Sequence, residues 1–276
     1  MKVSQSKLKE YESYLYFKKC YFSLRQLIFG NGNMILHIPH SQKYIPAEYL
    51  QYFHLSDSEL DFELLKMTDH FTDELFQCSQ SNHTEIIFPV SRLVVDPERF
   101  VVDADEPMSA RGMGCIYDKT HDQKPLKNCN EIRQNLIDRY YAPHHRKFTV
   151  LVNQELKQAS HSLIIDCHSF PKYPLPYEMD QTSDRAEICI GTDDFHTPHN
   201  LAEKVAEVFG KAGFSISLNE PFAGAIVPIE HYRKTEAVTS IMIEIRRDLY
   251  MNEVSGKKSE NFDNLKSAIN VVLQGL

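Results

Sequence analysis

The chain has no tryptophan, no pair of cysteines two residues apart, and no run of 18 apolar residues. It also has no excess of positive charge, no internal repeat and no low-complexity tract. Each absence excludes something. Without a long apolar run there is no candidate membrane-spanning helix. A formal net charge of −8 argues against nucleic acid or an anionic membrane as the main partner. The first ten residues, Met1 to Glu10, are polar and lack the apolar core of a secretory signal, so a cytoplasmic protein is expected. The six cysteines (20, 78, 115, 129, 167 and 189) show no zinc-ribbon spacing and read as reduced packing thiols.

Histidine is what the chain does have, 13 of them, and neutral imidazole is the commonest protein ligand for metals. The most informative stretch runs from His161 to Pro171. A strand-length β-branched run, Leu163-Ile164-Ile165, stops at Asp166-Cys167-His168-Ser169 before Phe170-Pro171 turns the chain away. In open α/β sheets ligands bind beyond the carboxyl ends of the strands, which is where His168 would lie. A second strand, over 33–38, runs into Pro39; proline cannot donate to a ladder, so His40 is released into a loop. The last strong strand, 238–247, alternates so that Ile241, Ile243 and Ile245 face one way and Met242, Glu244 and Arg246 the other.

Between these lie elements of other kinds. Residues 1–30, rich in Tyr, Phe and Lys, read as an N-terminal helical arm, leaving 31–276 as one domain. Residues 57–78 have helical spacing, which would put Asp69 and Asp73 one turn apart on one face, although Thr68 could equally cap a new helix. The run 84–99 reads as a strand and a second extended segment in which Arg92 needs Asp96 or an anionic ligand as partner. Residues 103–130 read as a long loop of the kind that forms lids or binding loops. A helix over 131–158 is expected to kink or split at Pro143, with His144 or His145 facing the site. In the loop 219–228, Gly224 would allow close backbone approach. A final helix carries Phe262, Leu265, Ile269, Val272 and Leu273. The alternation of strands and helices predicts a three-layer αβα domain.

Two imidazoles and one carboxylate are the usual protein donors of an open, catalytic zinc site, and His40, His168, Glu244 and an aspartate at 69 or 73 stand where such a site would form. Such an ion polarises a carbonyl and activates water, and a separate carboxylate must move the proton. The aspartate and Glu244 can supply the ligand and proton-carrier roles between them.

Seven stretches in fixed order carry a family resemblance: Ile38 to Ser41 with Ile45-Pro46, Thr68 to Phe76, Ser91 to Asp96 with Arg99, Pro143 to His145, Asp166 to Ser169, Asn219 to Gly224, and Ile243 to Met251. Together they resemble the N-formylglutamate amidohydrolase family over about residues 33–253. The resemblance implies a phosphorylase/hydrolase-like αβα fold with a mixed sheet, similar to zinc-dependent exopeptidases. It implies an enzyme of amino-acid metabolism (histidine degradation) that hydrolyses N-formyl-L-glutamate, a small-molecule N-acyl amino acid, to formate and glutamate with Zn2+ or another divalent ion. It makes His40, His168 and Asp69 or Asp73 the metal ligands, Glu244 the general base, and His145 a substrate or transition-state contact. Arg92, Arg99, Arg246, Asn219 and Gly224 are then candidates for substrate binding. The chain departs from the family pattern at Gln42, at Pro97-Glu98 and at Ala223-Gly224-Ala225, in loops that would touch the substrate. A carboxypeptidase-like hydrolase, a deacylase of another acyl group and a non-catalytic binding relative are the alternatives.

Overall fold

Ser162–Phe170 is the central strand, β3, and all nine of its residues are buried. Only residues 163–165 form the apolar run of a strand covered on both faces. The strand does not stop at Asp166 as expected but continues to Phe170, so His168 lies within it, its ladder kept by pairing with the strand Val238–Arg246. The computed structural model describes residues 34–78 and 82–276; the arm expected over 1–30 lies outside the described residues. Around β3 stand β1 (Met34–Ile38), β2 (His83–Ile87), β4 (Ile188–Gly191), β5 (Ile216–Leu218) and β6 (Val238–Arg246) in the order β2-β1-β3-β6-β4-β5. All neighbours are parallel except β4 and β6, so the sheet is mixed. A two-residue ribbon, β7 (Met251–Asn252) and β8 (Lys257–Lys258), stands apart.

The helices are α1 (Ala47–Leu50), α2 (Asp57–Met67), α3 (Thr72–Leu75), α4 (Arg133–Leu136), α5 (Ala142–Ala159), α6 (His199–Lys211) and α7 (Phe262–Gly275). Alternate strand residues point to opposite faces. Leu36, Ile165, Cys167, Ile243 and Ile245 pack on one side with Val205 and Phe209 of α6 and Leu265, Ile269 and Leu273 of α7. Ile35, Ile164 and Val238 pack on the other side with Phe148 and Val152 of α5. The three-layer arrangement follows from those two apolar faces.

Several expected elements are differently built. Residues 57–78 are not one helix. α2 ends at Met67, Thr68 is extended, and Phe71 adopts a left-handed conformation before α3 begins. The Asp69 amide instead donates to the His40 carbonyl (3.0 Å), tying the break to the exit of β1. Asp69 and Asp73 therefore do not share a helical face. The second extended run expected before Arg99 is a turn closed by a hydrogen bond from the Val94 amide to the Ser91 carbonyl (2.9 Å). The 131–158 helix is split next to Pro143, as expected: α4 gives way to a π-helical turn over Ile137–Tyr141, and Pro143 sits in the first turn of α5, where its missing N–H is harmless. The 103–130 loop is pinned to the body by an apolar cluster in which its Met113, Tyr117 and Leu126 pack with Leu60 and Met67 of α2 and with Leu93.

Candidate active site

The parallel strands β1, β3 and β6 end on one edge, and β1 lies where the chain order reverses, with β2 on one side and β3 on the other. Ligands bind at such switch points. The register does the first part of the assembly: His37 lies beside Asp166, and His168 beside Glu244. Asp166, His168 and Glu244 share the face of the sheet covered by α5.

Three atoms from three elements converge there. His40, Asp69 and His168 form a group whose ligand atoms, one from each residue, all lie within 4.8 Å of one another. His168 Nδ1 is 3.2 Å from Asp69 Oδ2, and His40 Nδ1 is 3.7 Å from it. All three side chains are buried, and His40 Nδ1 has no hydrogen-bond partner. The far nitrogens face carboxylates: His40 Nε2 is hydrogen-bonded to Asp96 Oδ1 (2.8 Å), and His168 Nε2 stands 3.0 Å from Asp166 and from Glu98, close enough for ion pairing but without hydrogen-bond geometry. A carboxylate behind a ligating imidazole fixes its tautomer and orientation. The donor chemistry and the unpartnered nitrogen therefore fit a divalent cation held by His40, Asp69 and His168. A second group, His37, Glu98 and Asp166, also brings its ligand atoms within 4.8 Å.

Charge is tightly balanced at this cluster. Burial alone would raise the Asp69 carboxyl, but His168, His40 and Arg247 hold it well below the ordinary carboxylate range. Burial would lower His168, but Glu98 and Asp166 lift it well above the usual imidazole value. Glu244 goes the other way. Burial pushes its carboxyl up to about 8 against the pull of His168, and its Oε2 has no hydrogen-bond partner.

The remaining candidates divide. His145, Arg99 and Gly224 line a cavity of about 850 Å³ together with His40, His168 and Glu244. Asp73 stays apart, half-buried, with Gln42 Nε2 at 3.5 Å. Arg92 is committed to Asp96 Oδ2 (2.9 Å) and to the Tyr117 hydroxyl (3.0 Å), and Tyr117 in turn donates to Asp96. Asn219, left-handed at φ 59°, closes a loop by accepting from the Thr192 amide (2.8 Å), away from the cavity wall. Gly224 is needed for its φ of 97°; the close backbone approach is at Gly191, whose added Cβ would lie 2.4 Å from the Gly224 carbonyl oxygen.

Arg246 does not reach the cluster. β6 ends there, and its guanidinium donates to Asp248 (2.7 Å) and to the Arg185 carbonyl. The 3-10 turn that follows swings Arg247 inward instead, where Nη2 donates to Asp69 Oδ1 (2.8 Å). Strand alternation could not find it, because the strand had stopped. Glu98 was also hidden from pattern reading: its turn is set by α5. The Nε2–H of His145 donates to the Pro97 carbonyl (2.8 Å) and the Tyr141 hydroxyl to the Arg99 carbonyl (3.0 Å), pinning the chain on both sides of Glu98. Asp166 was within reach of the sequence, two residues before His168 and so on the same face.

The N-formylglutamate amidohydrolase family model matches residues 32–251. No curated protein is significantly similar in sequence. Among solved structures, an N-formylglutamate amidohydrolase from Ralstonia eutropha JMP134 superposes with a TM-score of 0.75 at 22% identity, over 88% of this chain and 92% of that one. The gene product Atu2144 from Agrobacterium tumefaciens gives a TM-score of 0.62 at 19% identity, over 88% and 91% of the two chains. The class is thus that of amide-cleaving hydrolases built on a three-layer αβα fold. Within it, the chain belongs to the N-formylglutamate amidohydrolase family.

Proposed function

We propose that this protein is a metal-dependent amidohydrolase that cleaves the amide of an N-acyl amino acid, N-formyl-L-glutamate to formate and glutamate being the reaction in the family's name. The observation that carries the reading is the meeting of His40 Nδ1, Asp69 Oδ2 and His168 Nδ1 on one strand edge beside a buried carboxylate with an unpartnered oxygen. His40, Asp69 and His168 would hold a divalent ion, Zn2+ by donor type, which when bound supplies Lewis acidity toward the amide carbonyl and the attacking water.

The chain's own groups do the rest. Glu244, with Oε2 free and the cavity in front of it, takes the proton from the attacking water and returns it to the amine leaving group. A neighbouring cation would also draw its raised pKa down, so that the base is ionised when the site is loaded. Arg247 and the Ser169 amide (3.2 Å to Oδ2) hold Asp69 in place. Asp96, itself held by Arg92 and Tyr117, orients His40. Arg99 faces the cavity as a binding site for a substrate carboxylate. His145 is kept neutral by burial, which lowers it to about 4; with its Nε2–H given to Pro97, it positions the turn that carries Glu98 and Arg99.

The test is metal content by mass spectrometry on protein prepared without chelators or metal-affinity resin, with His168→Ala in parallel, followed by assay of formate release. About one divalent ion per chain, lost in the variant together with activity, is expected. A metal-free protein, or a His168→Ala variant that keeps both metal and activity, would sink the reading.

A further inference from the structure

The walls of the cavity do not suit the dicarboxylate in the family's name. Around it stand five carboxylates, Glu98, Asp166, Glu178, Asp180 and Glu244, and among the described lining residues a single permanently charged cation, Arg99. Arg99 is equipped to bind one carboxylate. Its buried Nε has no hydrogen-bond partner, and the nearest carboxylate oxygens, on Asp96 and Glu106, are 3.9 Å away. The two other guanidiniums at the cluster are already used: Arg92 on Asp96, Arg247 on Asp69. Neither lines the cavity. Arg185 is buried behind the wall, with Nη2 on Glu178 and the guanidinium over Phe222; its Nη1 has no partner, but the residue does not line the cavity. The α-carboxylate of an amino acid therefore has a partner here, and the second carboxylate of a glutamate has none on the cavity wall. An unpaired anion taken from water into a partly buried, acid-lined wall is strongly disfavoured.

The rest of the wall has a different affinity. Phe222, Ile226, Val227 and Met242 line it, with Met179 (72% exposed) and Ile229 (70% exposed) at the margin. Flexible methionines beside an aromatic ring suit apolar groups of varied shape. The volume also exceeds the family's substrate: about 850 Å³ lies toward the upper end of the ~300–1,000 Å³ of pockets that hold drug-sized ligands, whereas N-formylglutamate has only about a dozen non-hydrogen atoms.

We propose that this site takes an N-acyl amino acid with an uncharged, apolar side chain, its α-carboxylate on Arg99 and its side chain among Phe222, Ile226 and Met242. The proposal rests on the amidohydrolase reading of the same site and narrows its substrate class. In this setting Ala223-Gly224-Ala225 is a neutral segment of the wall, with no side chain able to pair a second carboxylate.

The experiment compares N-formyl-L-leucine, N-formyl-L-methionine and N-formyl-L-glutamate on the zinc-loaded full chain by formate release, and measures their binding to the Glu244→Gln protein by calorimetry. kcat/KM for the apolar substrates should exceed that for glutamate by about tenfold or more, with the same order in affinity. Ile226→Arg should narrow or reverse that order by supplying the missing cation. N-formyl-L-leucinamide, lacking the α-carboxylate, should lose about tenfold or more against the leucine compound, and Arg99→Met should abolish that difference. Turnover with glutamate equal to or ahead of leucine would overturn the apolar preference while leaving the hydrolase intact. Should no compound be turned over, the hydrolase reading fails by itself. Calorimetry then still decides the pocket, since glutamate binding as tightly as leucine would overturn the proposal.

Discussion

Glu244 is pulled two ways, by a burial that favours its neutral form and by a His168 beside it that favours the anion. Burial wins, and the sign of its effect on stability follows. An acid whose folded pKa, about 8, stands above its unfolded value of 4.5 takes up a proton on folding, so its contribution to stability falls as pH rises between those values. Metal-free Glu244→Gln should therefore match the parent near pH 4 and exceed it by about 1–3 kcal/mol at pH 8 and above. Urea melts across that range read the difference. The same variant should lose about 10²–10⁴-fold in turnover when metal-loaded. The two aspartates of the 68–76 segment separate at this scale too. Asp69→Asn leaves Arg247 buried without its anion and should cost about 3–5 kcal/mol along with the metal. Asp73→Asn, on a half-buried side chain outside the cluster, should keep the metal and stay within about 0.5 kcal/mol. Metal analysis beside denaturation distinguishes them, and metal loss in Asp73→Asn alone would reverse the assignment.

At the scale of elements, α2 does more than cover the body, because its C-terminal end delivers Thr68 and Asp69 to the exit of β1. Its start is fixed by a capping box, in which Ser56 accepts from the Glu59 amide and Glu59 accepts from the Ser56 amide (2.8 Å). Ser56→Ala should cost about 1 kcal/mol in a denaturant melt while leaving metal content unchanged. Loss of metal there would mean that α2 is less independent of the site than its exposed N-terminus indicates. The break at its other end was not legible in the apolar spacing. Leu64, Leu65, Phe71 and Leu75 keep an approximate helical period through it, since α2 and α3 bury side chains on either side of the interruption. A tertiary hydrogen bond from the Asp69 amide to His40, with Phe71 in the left-handed region, overrides that local pattern.

For the whole molecule, a cation held by His40, Asp69 and His168 as proposed would couple folding to both metal and pH. His168, raised well above 6.5 by Glu98 and Asp166, contributes stability that is fully present below its unfolded pKa and lost as pH climbs through its folded value. Metal competes with that proton, so affinity should rise with pH. Zinc-loaded and chelated protein should then differ in Tm, and the gap should widen from pH 6 to pH 8. At a free zinc concentration about 100 times Kd the gap corresponds to about 2.7 kcal/mol. Calorimetry in buffers of different ionisation enthalpy should register proton release on binding; a gap that narrows with pH would remove His168 from the ligand set.

Local pattern was enough for the three layers, for the release of His40 after β1, and for the face of β6 that carries Glu244, because strand period and apolar runs are local and act through nearest neighbours along the chain. The fold family was legible for the same reason: its motifs are short segments at strand ends. That β3 runs on past Asp166 and His168 to Phe170 was not legible, since pairing with β6 carries it through polar residues. Tertiary structure alone decided that Asp69 and not Asp73 joins the histidines, that Arg247 and not Arg246 turns inward, and that Glu98 stands between His37 and His168. Each of those outcomes depends on where a strand or helix stops and what pins the turn beyond it. Those stops are set by hydrogen bonds and ion pairs between segments far apart in the chain, such as Asp69 to His40, Arg247 to Asp69 and His145 to Pro97, which leave no periodic trace in the order of residues.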